Sequence, residues 1–240
     1  MSSTYFLSQI PIQNLSSKFK SKTFDLVITD PPYFDQVAYS EYLITWEFFT
    51  GSKVDLQNEI VESNRVDSNK NRERYLSDMT IGFKSLREVS KDNTLMFLYY
   101  KDARLGNIEA ILRILAESGW KFKGQMHIDR KQFTYKQNAS KRNTVEGDCL
   151  IVLEAQVSHQ IPEPIEITSE ALVSRINELA HEYLAAHGAS TLSTIYDNVL
   201  VPFLFSNGLL GKFKSPGDIV NILEEQFETS VETRKMHVRK

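Results

Sequence analysis

Apolar residues along this chain recur in two rhythms. Short apolar runs read as strands: Phe24 to Ile28, Thr94 to Tyr100, Trp120 to Ile128 and Val145 to Leu153. Between them, apolar positions three and four apart read as helices. One carries Leu76, Met79, Phe83 and Leu86 within Tyr75 to Val89, and another carries Ile108, Ile111, Leu112 and Leu115 within Ile108 to Ser118. Gly119 stops the second helix, and Asp92-Asn93 makes a turn before its strand. Tyr5 to Ile12 reads as a short strand or its end. Tyr39 to Phe49 reads as a helix whose rings, Tyr39, Tyr42, Trp46, Phe48 and Phe49, are expected to pack in the core. Residues 52 to 74 are polar without sustained periodicity and read as a loop or an exposed helix.

The rhythm changes after His159. Gln160-Ile161-Pro162-Glu163-Pro164 reads as an extended linker. Beyond it come a helix capped by Thr168 and carrying Leu172, Ile176, Leu179 and Tyr183, a helical stretch over 191 to 205, and a helix opened by Ser215-Pro216. The expected organisation is therefore a strand-and-helix domain over 1–157, a linker over 158–164, a small helical module over 165–230, and a basic tail over 231–240. Three helices in so short a span suggest a compact bundle or a winged-helix-like unit. Strand, helix, strand, helix, then a strand pair fits the second half of an α/β sheet.

Composition narrows this little. The chain has 240 residues, 41% hydrophobic and 25% charged, with net charge −3, so any contact with nucleic acid must come from a local basic patch. One cysteine, Cys149, excludes an internal disulfide and a cysteine-based zinc cluster; it reads as a buried strand residue. The histidines do not cluster at ligand spacing, and no metal is expected. No signal peptide and no apolar run near membrane-spanning length is evident, so a cytoplasmic location is expected.

The chemistry concentrates where the first strand ends. Phe24-Asp25-Leu26-Val27-Ile28 runs into Thr29-Asp30-Pro31-Pro32-Tyr33. Two prolines fix φ at consecutive residues and remove two backbone donors. The turn's carbonyls are therefore expected to face outward, unpaired. Asp30 offers an acceptor carboxylate and Tyr33 a flat ring. An acceptor side chain, a free carbonyl and a stacking ring suit a flipped base held by its exocyclic NH2 group.

The residues Asp30-Pro31-Pro32-Tyr33 resemble the catalytic motif of DNA amino-methyltransferases that use S-adenosylmethionine (SAM). The longer string, continuing Phe34-Asp35-Gln36-Val37-Ala38-Tyr39-Ser40-Glu41, is similar to the large adenine-specific DNA methylases. The resemblance spans roughly residues 1 to 155. It implies a Rossmann-like sheet ending in an antiparallel pair, SAM as cofactor, DNA as substrate, and Asp30, Pro31, Pro32 and Tyr33 as catalytic residues acting on adenine N6.

The chain departs from that family in one respect. A glycine-rich loop after a first strand, followed by a ribose-binding acid, is what lets a backbone approach such a cofactor. Neither is found, and no residue is assigned to the cofactor. The nearest glycine pair, Gly208 and Gly211, has the wrong spacing and helical surroundings. The expectation is the C-terminal part of a methyltransferase, completed by a missing segment, by a partner polypeptide carrying the glycine loop, or by another copy of itself. The alternative is a non-catalytic subunit that binds DNA or assembles a methyltransferase complex.

Between the last two strands lies a loop with Arg130, Lys131, Lys136, Lys141 and Arg142 and no acid from Arg130 to Arg142. Phe133 and Tyr135 are interleaved. Arg130, Lys131, Tyr135, Lys136, Lys141 and Arg142 are the expected nucleic-acid contacts, with cations for phosphates and rings for bases.

Overall fold

Strand β1 (Phe24–Thr29) is the edge of a four-stranded mixed sheet ordered β1-β2-β4-β3. The computed structural model describes residues 7–34, 39–51, 53, 57–63, 69–102, 104–128, 145, 148–157, 161–230 and 235–238. β2 (Ser90–Tyr99) runs parallel to β1 and antiparallel to β4 (Asp148–Ala155), and β4 pairs antiparallel with β3 (Trp120–Ile128). The expected strand order along the chain is found, with an antiparallel pair at its end. The Asp92-Asn93 turn becomes an irregularity within a longer β2. Asn93 takes φ +65°, and the β1–β2 register shifts between Phe24 and Leu26. Residues 7 to 11 form no strand; Ile12–Asn14 makes a 3-10 turn leading into the short helix α1 (Leu15–Lys18).

One face of the sheet is covered. Helix α3 (Arg72–Val89) buries Tyr75, Met79, Phe83 and Leu86, and α4 (Leu105–Glu117) buries Ile108, Ile111, Leu112 and Leu115. These meet Val27, Met96, Leu98, Ile151 and Leu153 from the strands in one core. Asn71 caps α3 by accepting from the Arg74 N–H. Gly119, at φ +89°, turns the chain out of α4, so that Trp120 starts β3 fully buried with its Nε1 donating to the Phe83 carbonyl at 3.1 Å.

The opposite face is largely open. Leu26 and Ile28 of β1 are 51% and 67% exposed, and Leu95, Tyr99 and Met126 continue the apolar surface across the sheet. Parallel strands normally have both faces covered and edges protected. Helix α2 (Tyr39–Thr50) adds to this surface, because its rings are not in the core as expected. Tyr39, Tyr42, Trp46, Phe48 and Phe49 are all exposed, Phe48 by 87%, and Ser40 is its one buried residue. A helix apolar on every side is ordinarily enclosed by protein.

A largely helical C-terminal segment follows. Thr168 caps α5 (Ser169–His187) by accepting from the Ala171 N–H, and Gly188, at φ +75°, ends it. α6 (Leu192–Ile195), a π-helical turn (Tyr196–Leu200) and α7 (Val201–Ser206) follow, then α8 (Pro216–Glu224) with Ser215 and Asp218 forming a capping box. Backbone N–H groups of Ser215 and Lys214 hold the Asp218 carboxyl below its ordinary value. A hairpin of β5 (Phe227–Thr229) and β6 (Met236–Val238) closes the module, and Thr191 bridges to Lys235. Within the basic tail, Met236 is buried.

The module sits against β3 and α4. Phe205 meets Phe122 edge-on at 5.2 Å, and His127 Nδ1 lies 2.7 Å from Asp197 Oδ2, both side chains nearly fully buried. His127 also donates its backbone N–H to Asn198 at 2.6 Å. Gly208, at φ +65°, lets the chain approach the linker so closely that a Cβ would stand 2.6 Å from the Pro164 nitrogen. A Cβ on Gly211 would meet Glu109. These glycines serve close contacts between segments of the fold.

Candidate active site

The motif occupies the C-terminal end of the edge strand. Asp30 is exposed, Pro31 is buried, Pro32 and Tyr33 are half-buried, and Phe34 is fully buried. Asp30, Pro31, Pro32 and Tyr33 thus lie together in one turn. The Tyr33 hydroxyl donates to Asp30 Oδ1 at 2.5 Å and reaches the Tyr99 carbonyl, at the end of β2, at 3.4 Å. Its ring meets Tyr100 edge-on at 5.1 Å. Burial, together with the Asp30 carboxylate, raises the Tyr33 hydroxyl above its ordinary value, so it stays a donor at neutral pH. Among the described residues no hydrogen bond reaches Asp30 Oδ2 or the Pro31 carbonyl.

The turn's carbonyls are not all free as expected. Pro32 accepts from the Tyr75 hydroxyl at 2.6 Å. Tyr75 is fully buried in the first turn of α3 and its ring lies 4.3 Å from Phe34. Burial pushes the Tyr75 hydroxyl up to about 12. Phe34 adopts φ +29°, uncommon for a bulky side chain, and its carbonyl accepts from the Glu62 N–H at 3.0 Å. The Arg72 guanidinium stands 4.5 Å above the Phe34 ring and donates to Asn107 Oδ1 and the Gly106 carbonyl. Asn107 in turn donates to the buried Asp102 at 2.8 Å.

Sequence reasoning missed Arg72 and Tyr75 as parts of this site. Tyr75 reads only as the start of an amphipathic helix, and nothing local ties it to a turn some forty residues earlier. Cys149 is a buried strand residue, as expected, and burial pushes its thiol up, away from reactivity. The six expected nucleic-acid contacts, Arg130, Lys131, Tyr135, Lys136, Lys141 and Arg142, lie outside the described residues. Among the described residues no helix is long and apolar enough to cross a membrane.

An edge strand opening into Asp-Pro-Pro-Tyr, parallel to a second strand and followed by an antiparallel pair, defines a class that comparison with known proteins makes specific. A family model for DNA methylases matches residues 24–167, from the first residue of β1 to just before α5. The chain belongs to this N6/N4 DNA methylase family. The C-terminal module beyond residue 167 lies outside the match. No curated protein matches the chain. Solved structures of a DNA modification methylase from Thermus thermophilus resemble it. One is 11% identical with TM-score 0.34, covering 73% of this chain and 61% of that one. Another, complexed with S-adenosyl-L-methionine, is 11% identical with TM-score 0.36, covering 72% and 60%. The chain thus spans about three fifths of the length of these structures.

Proposed function

We propose that this chain carries the amine-gripping part of a SAM-dependent methyltransferase whose substrate is an exocyclic amino group of a DNA base, adenine N6 above cytosine N4. The observation that carries the reading is the motif turn, with one carboxylate oxygen and one proline carbonyl left open, among the described residues, beside a held aromatic ring. Asp30 as the motif's first residue, with the longer resemblance, favours adenine. A cytoplasmic location is in keeping with action on DNA.

The residues on hand suit the substrate rather than the cofactor. Among the described residues Asp30 and Pro31 supply acceptors for an NH2 group, while no glycine-rich turn after a strand is present to admit the adenosine and methionine parts of SAM. Bound elsewhere in the complete enzyme, SAM would supply an electrophilic methyl group. The role of this chain is then separable. The target base leaves the duplex and stacks on the Tyr33 ring. Asp30 Oδ2 and the Pro31 carbonyl each accept one hydrogen of the amine. Those bonds hold the nitrogen lone pair out of conjugation with the ring and aim it, a matter of positioning and preorganised charge. Asp30 is also placed to take the proton that the nitrogen sheds once alkylated.

The missing half has a place to dock. The free edge of β1, the open face bearing Leu26 and Ile28, and the apolar surround of α2 favour a further strand and covering helices from a partner polypeptide or another segment. Edge pairing of two copies about a two-fold axis would run antiparallel and leave the open face bare, which weighs against a homo-oligomer. The basic loop is proposed to track the DNA backbone, because both its flanking ends, Ile128 and Asp148, emerge at the sheet end where the motif lies. The module's order of helix, bridged residue, two helical stretches and hairpin favours the winged-helix-like reading.

The test is methyl transfer from labelled SAM by this chain assembled with a polypeptide that carries the glycine-rich half. The reading expects N6-methyladenine in the recovered DNA. N4-methylcytosine would move the substrate, and no base methylation with a stable complex would favour a non-catalytic assembly subunit.

A further inference from the structure

We infer that Tyr75 is a positioning residue for the amine grip, selecting which carbonyl of the proline pair meets the substrate. The inference rests on the amine-gripping role proposed above. Two successive prolines leave two carbonyls with no backbone N–H of their own turn to pair with. The grip needs only one of them. The buried Tyr75 hydroxyl takes the Pro32 carbonyl at 2.6 Å, while the Pro31 carbonyl has no described partner. The buried hydroxyl also lies within reach of the Phe34 backbone N–H and the Tyr100 hydroxyl, but the Pro32 carbonyl is the acceptor it meets at hydrogen-bond distance, and a buried donor left unpaired is costly.

The same ring fixes the turn laterally. Tyr75 lies against Phe34, whose left-handed backbone is a conformation that persists only where the surroundings impose it. Arg72 also stands over the Phe34 ring and is itself tied to α4 through Asn107 and Gly106. One turn of α3 thus holds Pro32 by a hydrogen bond and Phe34 by its ring, and Tyr33 lies between them. Without the Tyr75 hydroxyl, the Pro32–Tyr33 peptide can rotate so that the Pro32 carbonyl competes with that of Pro31 for the base, and the aim of the Pro31 carbonyl relative to Asp30 is lost.

The experiment is fluorescence anisotropy with the 240-residue chain and two labelled duplexes. They are identical but for one mismatched position, which holds adenine or unsubstituted purine, a base lacking only the exocyclic NH2. The wild-type chain is expected to prefer adenine by about tenfold, the worth of one or two hydrogen bonds, one of them to a charged group. Asp30→Ala should abolish the preference. Tyr75→Phe should bring it within about twofold of unity while affinity for the purine duplex is unchanged, since phosphate contacts are untouched. Should Tyr75→Phe not fold, Arg72→Gln loosens Phe34 and is expected to reduce the same ratio. A preference lost in Asp30→Ala but kept in a folded Tyr75→Phe or Arg72→Gln chain overturns the inference and leaves the grip standing. Equal binding of both duplexes by the wild-type chain overturns the grip itself, and the inference with it.

Discussion

Replacing Asp197 by Ala should cut the stability of this fold by about 3 kcal/mol, the upper end of the cost of removing a hydrogen bond to a charged group and leaving its buried partner unsatisfied. Asp197 lies in the π-helical turn of the C-terminal module, and its carboxylate sits 2.7 Å from His127 Nδ1 on β3, with side-chain exposures of 4% and 3%. Lys101 also stands near it, but at 3.9 Å it is too far for a strong hydrogen bond. Removing the carboxylate leaves the imidazole buried against an apolar wall formed in part by Cys149, its partner across the ladder. Removing the imidazole by His127→Leu takes from the carboxylate its nearest partner, and a similar loss is expected. The double replacement by apolar residues should cost much less than the two singles combined, because neither buried polar group is then left without its partner. Thermal melts followed by circular dichroism would read each single change as a fall of roughly 6–12 °C in Tm for a chain of this size. Single losses below about 1 kcal/mol, or strict additivity in the double variant, would refute the claim that this pair couples the module to the sheet.

Three further outcomes are expected. Neutralising Lys136, Lys141 and Arg142 together should weaken DNA binding and flatten its salt dependence by roughly one unit of slope per lost phosphate contact; an unchanged slope in a salt titration returns that loop to ordinary solvated surface. Tyr75 has an ordinary value of 10.0 and is held up to about 12 in the fold. Between those values the unfolded chain holds fewer protons than the folded one, so stability should fall as pH rises through the window, by roughly 2–3 kcal/mol if the shift is complete. Urea midpoints measured across that range should show a shallower fall in Tyr75→Phe. Calorimetry of SAM against the 240-residue chain, with its mass measured by light scattering, should show weak or no binding; a monomer binding at micromolar affinity would reveal a cofactor site outside the motif turn.

The strand order was legible because each strand is a compact apolar run bounded by turn residues, and β3 reads correctly from Trp120 to Ile128. Helix α3 was legible from Met79, Phe83 and Leu86, but its start was not. Arg72 and Glu73 are polar, and the Asn71 cap is visible only once the backbone is in place. The hairpin at the C-terminus was missed because three-residue strands such as Phe227–Thr229 carry too little periodicity to register. The rings of α2 were misplaced for a different reason. An apolar helix is ordinarily a core helix, and no local pattern in the sequence shows that these rings stay exposed among the described residues. At the site, the motif residues were legible as a local string. The brace behind them was not, because Tyr75 and Arg72 reach Pro32 and Phe34 through tertiary contacts that no local pattern encodes.

The central claim is that Asp30 and its neighbours grip an exocyclic amine for methylation. Its most direct measurement is single-turnover methyl transfer to adenine N6 by the assembled enzyme carrying Asp30→Ala. Asp30 is exposed, and its described partner is the Tyr33 hydroxyl within the motif itself. Loss of its side chain should therefore leave the melting curve nearly unchanged. The account predicts a fall in single-turnover transfer rate at saturating DNA of roughly two to four orders of magnitude, far beyond the about tenfold loss of affinity expected from the lost grip. Near-wild-type turnover in that variant would contradict it.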